Sequence, residues 1–147
     1  MIRLSQLKGQ RVLARDGTQI VGSVRRLLLD RATNSIVALQ LDGTSDSDNL
    51  VEWSDLAAIA PDALIVDSEE VLRGPQTAAE HDLLAGRLEL QGKLVLTETG
   101  DEIGPLNDLA FDERSGQLVE LEVPGHVVPA SDVVALGPYA LIVPAQG

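Results

Sequence analysis

Three aspartates, Asp42, Asp46 and Asp48, crowd the stretch DGTSDSDN at residues 42–49. Carboxylates at that spacing are the hard oxygen ligands that Ca²⁺ or Mg²⁺ prefers. The stretch fails the EF-hand pattern, because no Gly stands at the sixth place counted from Asp42 or Asp46. It reads as an acidic hairpin tip, with cation binding kept as an alternative. The two histidines, His81 and His126, can each pair with a carboxylate in so acidic a chain. There is no cysteine, which excludes thiol catalysis, disulfides and Cys-based zinc sites. G-x-S-x-G, G-x-G-x-x-G and P-loop motifs are also missing. The expectation is a protein that is not an enzyme, with no catalytic, cofactor-binding or metal-ligating residue assigned.

Binding chemistry is better represented. The formal net charge is −12 and the pI is about 4.4. Such a chain repels phosphate backbones, so direct nucleic-acid binding is disfavoured and a basic protein partner is favoured. The charge is uneven: residues 1–74 carry a net −3 and residues 75–147 a net −9. Basic residues cluster early, at Arg11, Arg15, Arg25, Arg26 and Arg31. Arg25 and Arg26 belong either to a solvated face or to a charge pairing with the acidic second half. That half would come from the same chain or from another in a homodimer. Trp53, the single Trp, either packs within the chain or faces a partner. Arg25, Arg26 and Trp53 are therefore the candidate partner-binding residues.

These residues need a scaffold, and composition limits its kind. At 147 residues the chain makes one ordinary domain or two very small ones. Hydrophobic residues make up 44% and aromatics 2%, so Val, Leu, Ile and Ala must fill the core. The N-terminal MIRLSQLKGQ lacks the apolar run of a signal peptide. The apolar run VVALGPYALIVPA is too short to span a membrane and is broken by Gly137 and Pro138. A cytoplasmic location is expected.

The scaffold is written twice. VEWSDLAAIAPDALIV (51–66) matches VPASDVVALGPYALIV (128–143), GSVRRLLLDRATNSIVALQL (22–41) matches GPLNDLAFDERSGQLVELEV (104–123), and RVLARDGTQI (11–20) matches LVLTETGDEI (94–103). Each copy reads as short strands. Val119, Leu121 and Val123 alternate with Glu120 and Glu122, as Val37, Leu39 and Leu41 alternate with Ala38 and Gln40. Period 2 predicts a half-buried strand, the valines and leucines inward. Asp16-Gly17 and Thr99-Gly100 predict tight hairpin turns. The next turns, ATNS and RSGQ, place Asn34 and Gly116 where positive φ is expected, with Asp30 and Asp112 positioned to bond backbone N–H groups. Ser54-Asp55 and Ser131-Asp132 predict single helical turns, and ALIV closes each copy as a buried strand.

An all-β fold follows: two tandem small antiparallel barrels related by a pseudo-two-fold. The first spans 1–68 and the second 83–147. The linker, 69–82, is partly helical, with Thr77 as the cap.

The ordered set of motifs resembles the PRC-barrel family. DGTQIVGSV, DRATNSIVALQL and SDLAAIAPDALIV carry the likeness once; TGDEIGPL, DERSGQLVELEV and SDVVALGPYALIV carry it again. The first copy departs from the pattern with Asn34 and Ala60 in place of Gly and with Trp53 near a small or Pro position. In that family the barrel forms the cytoplasmic domain of the photosynthetic reaction-centre H subunit and the C-terminal domain of a ribosome maturation factor. The resemblance implies a fold and a general role in assembly and protein contact. The expected function is thus a non-catalytic adaptor or scaffold module. The alternatives are a small-ligand or cation-binding protein, or a ribosome-maturation accessory acting through a basic protein.

Overall fold

Short strands joined by polar turns make up most of the folded chain. The computed structural model describes residues 1–15, 19–30, 32–44, 48–85, 90–137 and 139–145. The Asp16-Gly17 turn and the centre of the acidic stretch, including Asp46, lie outside the described residues. A short strand β1 (Ile2–Arg3) and a one-turn helix α1 (Leu4–Leu7) come first. The first repeat then runs β2 (Arg11–Ala14), β3 (Ile20–Asp30), β4 (Ser35–Asp42), β5 (Leu50–Glu52), β6 (Leu56–Ile59) and β7 (Ala63–Val66).

These six strands form one sheet in the order β5-β4-β3-β2-β7-β6. Its outermost strands, β5 and β6, are joined by a single 3-10 turn, Trp53–Asp55. Four residue steps reach at most about 14 Å, yet the first and sixth strands of a flat sheet lie about 24 Å apart. The sheet must therefore curl, which makes the repeat barrel-like. The closing strand β7 runs parallel to β2, from Arg11↔Ala63 to Ala14↔Val66, so the sheet is mixed.

The second repeat follows the same plan with β8 (Leu94–Thr97), β9 (Glu102–Pro105), β10 (Asp108–Phe111), β11 (Leu118–Val123), β12 (His126–Pro129), β13 (Ala135–Leu136) and β14 (Ala140–Val143). Here β14 runs parallel to β8. The counterpart of β3 is divided into β9 and β10, at the place where β3 itself carries a bulge around Arg25. The expected turns form at matching places. Asp30 accepts from the Ala32 N–H at 2.9 Å, and Asp112 from those of Arg114 and Ser115 at 2.9 and 3.0 Å. Asn34 (φ 51°) and Gly116 (φ 73°) both adopt the left-handed conformation that Gly and Asn accept most readily. Ser54-Asp55 and Ser131-Asp132 lie in 3-10 turns.

A pseudo-two-fold relates the repeats. Ser35 bridges to its own counterpart, Gln117. The flanking hydrogen bonds come as an equivalent pair, Ile36 N–H to the Gly116 carbonyl (2.9 Å) and Leu118 N–H to the Asn34 carbonyl (2.8 Å). The N-terminal strand crosses over: β1 adds to β10 of the second repeat, and Arg3 pairs with Glu122. One continuous core spans both repeats, with Leu39, Val12 and Leu64 from the first and Phe111, Leu121 and Leu141 from the second. Phe111, the single Phe, is fully buried there. Among the described residues no helix is long and apolar enough to cross a membrane.

The alternation needs one correction. Leu121 and Val123 point inward, but Val119 is 39% exposed and Leu118 takes the inward place. A β-bulge causes this, because Ala110 pairs with Glu120 and Phe111 with Leu118, leaving Val119 as the extra residue. The first repeat has the same bulge at the equivalent Val37, also 39% exposed, between Ala38 and Ile36. A second departure concerns Ala38 and Gln40, both buried although they point away from the main core. Helix α2 (Ala78–Leu84) covers them, and its Leu83 joins Leu28, Ala38 and Leu50 in a separate apolar cluster. Thr77 caps this helix, its Oγ1 accepting from the Glu80 N–H at 3.1 Å.

Candidate functional site

An open groove of about 1150 Å³ lies where the linker crosses the first repeat and meets the Asp112–Ser115 turn of the second. Leu28, Leu29, Ile36, Val37 and Leu56 give it apolar walls. Its charged lining is Asp30, Glu52, Glu80 and Asp82 against Arg73 and Arg114, a surplus of carboxylates. That surplus favours a cationic occupant.

Arg73 anchors the site. Its backbone exchanges two hydrogen bonds with Leu50, each 2.9 Å, so the linker extends the sheet beyond β5. Its guanidinium forks onto the buried Glu80 carboxylate, Nη1 to Oε1 at 2.8 Å and Nη2 to Oε2 at 2.6 Å. Nη2 also reaches Glu52 at 3.2 Å, and the Gln76 N–H donates to Glu80 at 2.7 Å. The Arg73 hydrogen bonds hold the Glu80 carboxyl below its usual range, against burial, which pushes it up. The same pairing raises Arg73 above its ordinary value. Both groups thus move away from neutrality in their charged forms, which suits a strut rather than a proton relay. Asp112 is also held low, by the N–H groups of Ser115 and Arg114 in its turn.

The sequence-derived candidates are not brought together. Trp53 is only 8% exposed. Its ring packs on Gly116, where an added Cβ would lie 2.9 Å from Nε1 and 3.1 Å from Cδ1. The ring wedges the repeats together and offers the groove little more than an edge, the within-chain packing that the sequence reading set beside a partner-facing role. Arg26 is half-buried, its Nη1 3.4 Å from both the Gln40 Oε1 and the Leu83 carbonyl. That contact holds the C-terminal end of α2, so Arg26 works within the chain. Arg25, on the β3 bulge, has a side chain 49% exposed and pairs with Asp42 at 3.5 Å. His81 lies exposed on α2 and His126 begins β12. Among the described residues no three His, Cys, Asp or Glu are grouped to hold a metal.

Arg73, Glu80 and Glu52 were missed by sequence reasoning, although signals for two of them existed. Arg73 is the sole basic residue between Arg31 and Arg87, and Thr77-Ala-Ala-Glu80 has capping-box spacing.

The geometry defines a class: a duplicated β-unit, six strands in the first copy and seven shorter ones in the second, with a parallel closing strand in each and an open surface groove. The family model for the PRC-barrel domain matches residues 1–73 and 87–144, and the chain belongs to that family. Among proteins of curated function, none matches it in sequence.

Proposed function

We propose that this chain is a non-catalytic protein-interaction module, an adaptor or scaffold that binds a basic partner in the cytoplasm. The groove beside Arg73 carries the reading. Its volume, about 1150 Å³, lies above the usual range of small-molecule pockets, roughly 300–1,000 Å³. Its mouth is open and its charged lining is mostly acidic. A segment of a partner, with a Lys or Arg directed at Glu52 and Asp82, fits it better than a small ligand does.

The experiment is peptide display on the full chain. Enriched peptides should be basic and should lose roughly tenfold or more in affinity for Val37→Arg or Ala79→Arg, which crowd the groove with like charge and bulk. An absence of enrichment over a blank surface, or binding indifferent to both changes, would overturn the reading. Self-association follows the same electrostatics: Arg25, half-exposed on its bulge, suits the acidic second repeat of another chain in a homodimer. Sedimentation should then give a mass that falls towards one chain as salt is added. A single-chain mass at low salt and high concentration would exclude the dimer.

A further inference from the structure

Strand β12 of the second repeat is the register equivalent of β5. Ala38↔Glu52, Leu39↔Val51 and Gln40↔Leu50 in the first repeat correspond to Glu120↔Pro129, Leu121↔Val128 and Glu122↔Val127 in the second. The two edges are finished differently. At β5 the Leu50 N–H and carbonyl turn away from β4 and bond to the backbone of Arg73, and Leu50 is fully buried. At β12 the same register turns the Val127 N–H and carbonyl away from β11. β12 is the terminal strand of its sheet, and among the described residues nothing pairs with its outer side. Val127 is 47% exposed.

The surrounding face has changed in the same direction. The place of buried Ala38 is held by Glu120, and that of Gln40 by Glu122, which lies beside Arg3. Val119 stands exposed on its bulge nearby. An unpaired strand edge is a ready template for another extended chain, and carboxylates beside it select a basic one. Pro129 has no N–H to offer, so the open edge narrows to the single donor–acceptor pair of Val127. A single pair is also what Arg73 uses on Leu50.

We propose that the outer edge of β12 takes a short, extended, basic segment of a protein partner as an added strand centred on Val127, with an Arg or Lys of that segment reaching Glu120. The first repeat shows the mode of binding internally, with Arg73 of its own Leu72-Arg73-Gly74 segment as the paired residue. The proposal rests on the reading of the chain as an interaction module but uses a separate surface, on the other repeat. An adaptor needs two such surfaces.

The test is a titration of the full, isotope-labelled chain with the hexapeptide VLRGPQ, the chain's own residues 71–76, followed by amide NMR. Saturable shifts and slowed hydrogen exchange are expected at Val127 and its neighbours. Affinity should fall roughly fivefold or more for Glu120→Lys, and likewise when the peptide's Arg is replaced by Glu. Val127→Pro, which removes the donor while sparing the bonds to β11, should abolish the response; if that variant does not fold, Glu120→Lys decides alone. Shifts confined to the Arg73 groove, or none at millimolar peptide, would overturn the proposal. Val37→Arg should leave edge binding unchanged. Loss of groove binders with a silent edge would therefore sink this inference alone, whereas silence at both surfaces would sink the interaction reading as well.

Discussion

Gly116→Ala should be unexpectedly costly for a residue in a surface turn. Two effects add there. The residue sits at φ 73°, a conformation that costs an L-residue roughly 1–2 kcal/mol. The new Cβ would also lie 2.9 Å from Trp53 Nε1 and 3.1 Å from Cδ1. Trp53 is buried and cannot swing away freely, and overpacking of that kind costs roughly 1–3 kcal/mol. The sum, roughly 2–5 kcal/mol, is a large share of the roughly 5–15 kcal/mol that holds an ordinary domain together. Urea denaturation should register it directly, and the melting midpoint should drop by roughly 5–20 °C. Two further variants separate the causes. Gly116→Asn relieves the backbone term, since Asn34 holds the same conformation in the first repeat, but it keeps the clash. Gly116→Ala in a Trp53→Leu background keeps the backbone term and removes the clash. The double-mutant cycle should therefore show a coupling of roughly 1–3 kcal/mol. Additivity to within about 0.5 kcal/mol would refute the wedge and leave only backbone strain.

Leu121→Ala, at a position 1% exposed, should cost about 2–5 kcal/mol. Val119→Thr, two residues away on its bulge, should stay within about 0.5 kcal/mol, and equal losses in urea would mean the bulge is misplaced. Thr77→Ala removes the cap of α2 and should cost about 0.5–2 kcal/mol, read as lost helical signal in circular dichroism and an earlier urea midpoint. Glu80 has a depressed carboxyl in the fold. Its contribution to stability is fully present above the unfolded-state value of about 4.3 and is lost as pH falls through the lower folded value. Glu80→Gln should flatten the decline of stability below about pH 5; an unchanged slope would show that the Arg73 pairing does not survive in solution.

The repeat, the strands and the turns at Asn34 and Gly116 were legible because their signals are local, whereas the strand order and the parallel closing strands were not. Alternation and turn residues act over a few positions, and both copies state them. The bulges at Val37 and Val119 were not legible, because an extra residue looks like ordinary alternation until its partner strand is known. Trp53 and Gly116 show a deeper limit. The sequence marks Trp53 against Ala130, and Asn34 against Gly116, as two separate departures between the copies. They are one event in space. The pseudo-two-fold packs the 53–55 turn of one repeat against the 112–116 turn of the other, so bulk gained at Trp53 requires the missing Cβ at Gly116. Arg73 and Glu80 stayed hidden because a linker shows no period, and their partners are supplied by the β5 edge and by the cap of α2.

The division of charge between the halves now has a location. A common register gives the first repeat Leu28, Ala38, Gln40 and Leu50 on its outer face, and gives the second Ala110, Glu120, Glu122 and Val127. The first face is apolar and needs a cover, which the linker and α2 provide with Leu83 and Arg73. The second face is acidic, so water can solvate it and no cover is required for folding. Arg3 leans across it from the N-terminal strand on β10 and pairs with Glu122. The same β-unit is thus used once as a closed structural half and once as an open, charged half. Pseudo-symmetry fixes the backbone of both, while the side chains on one outer face decide which half the linker and α2 cover.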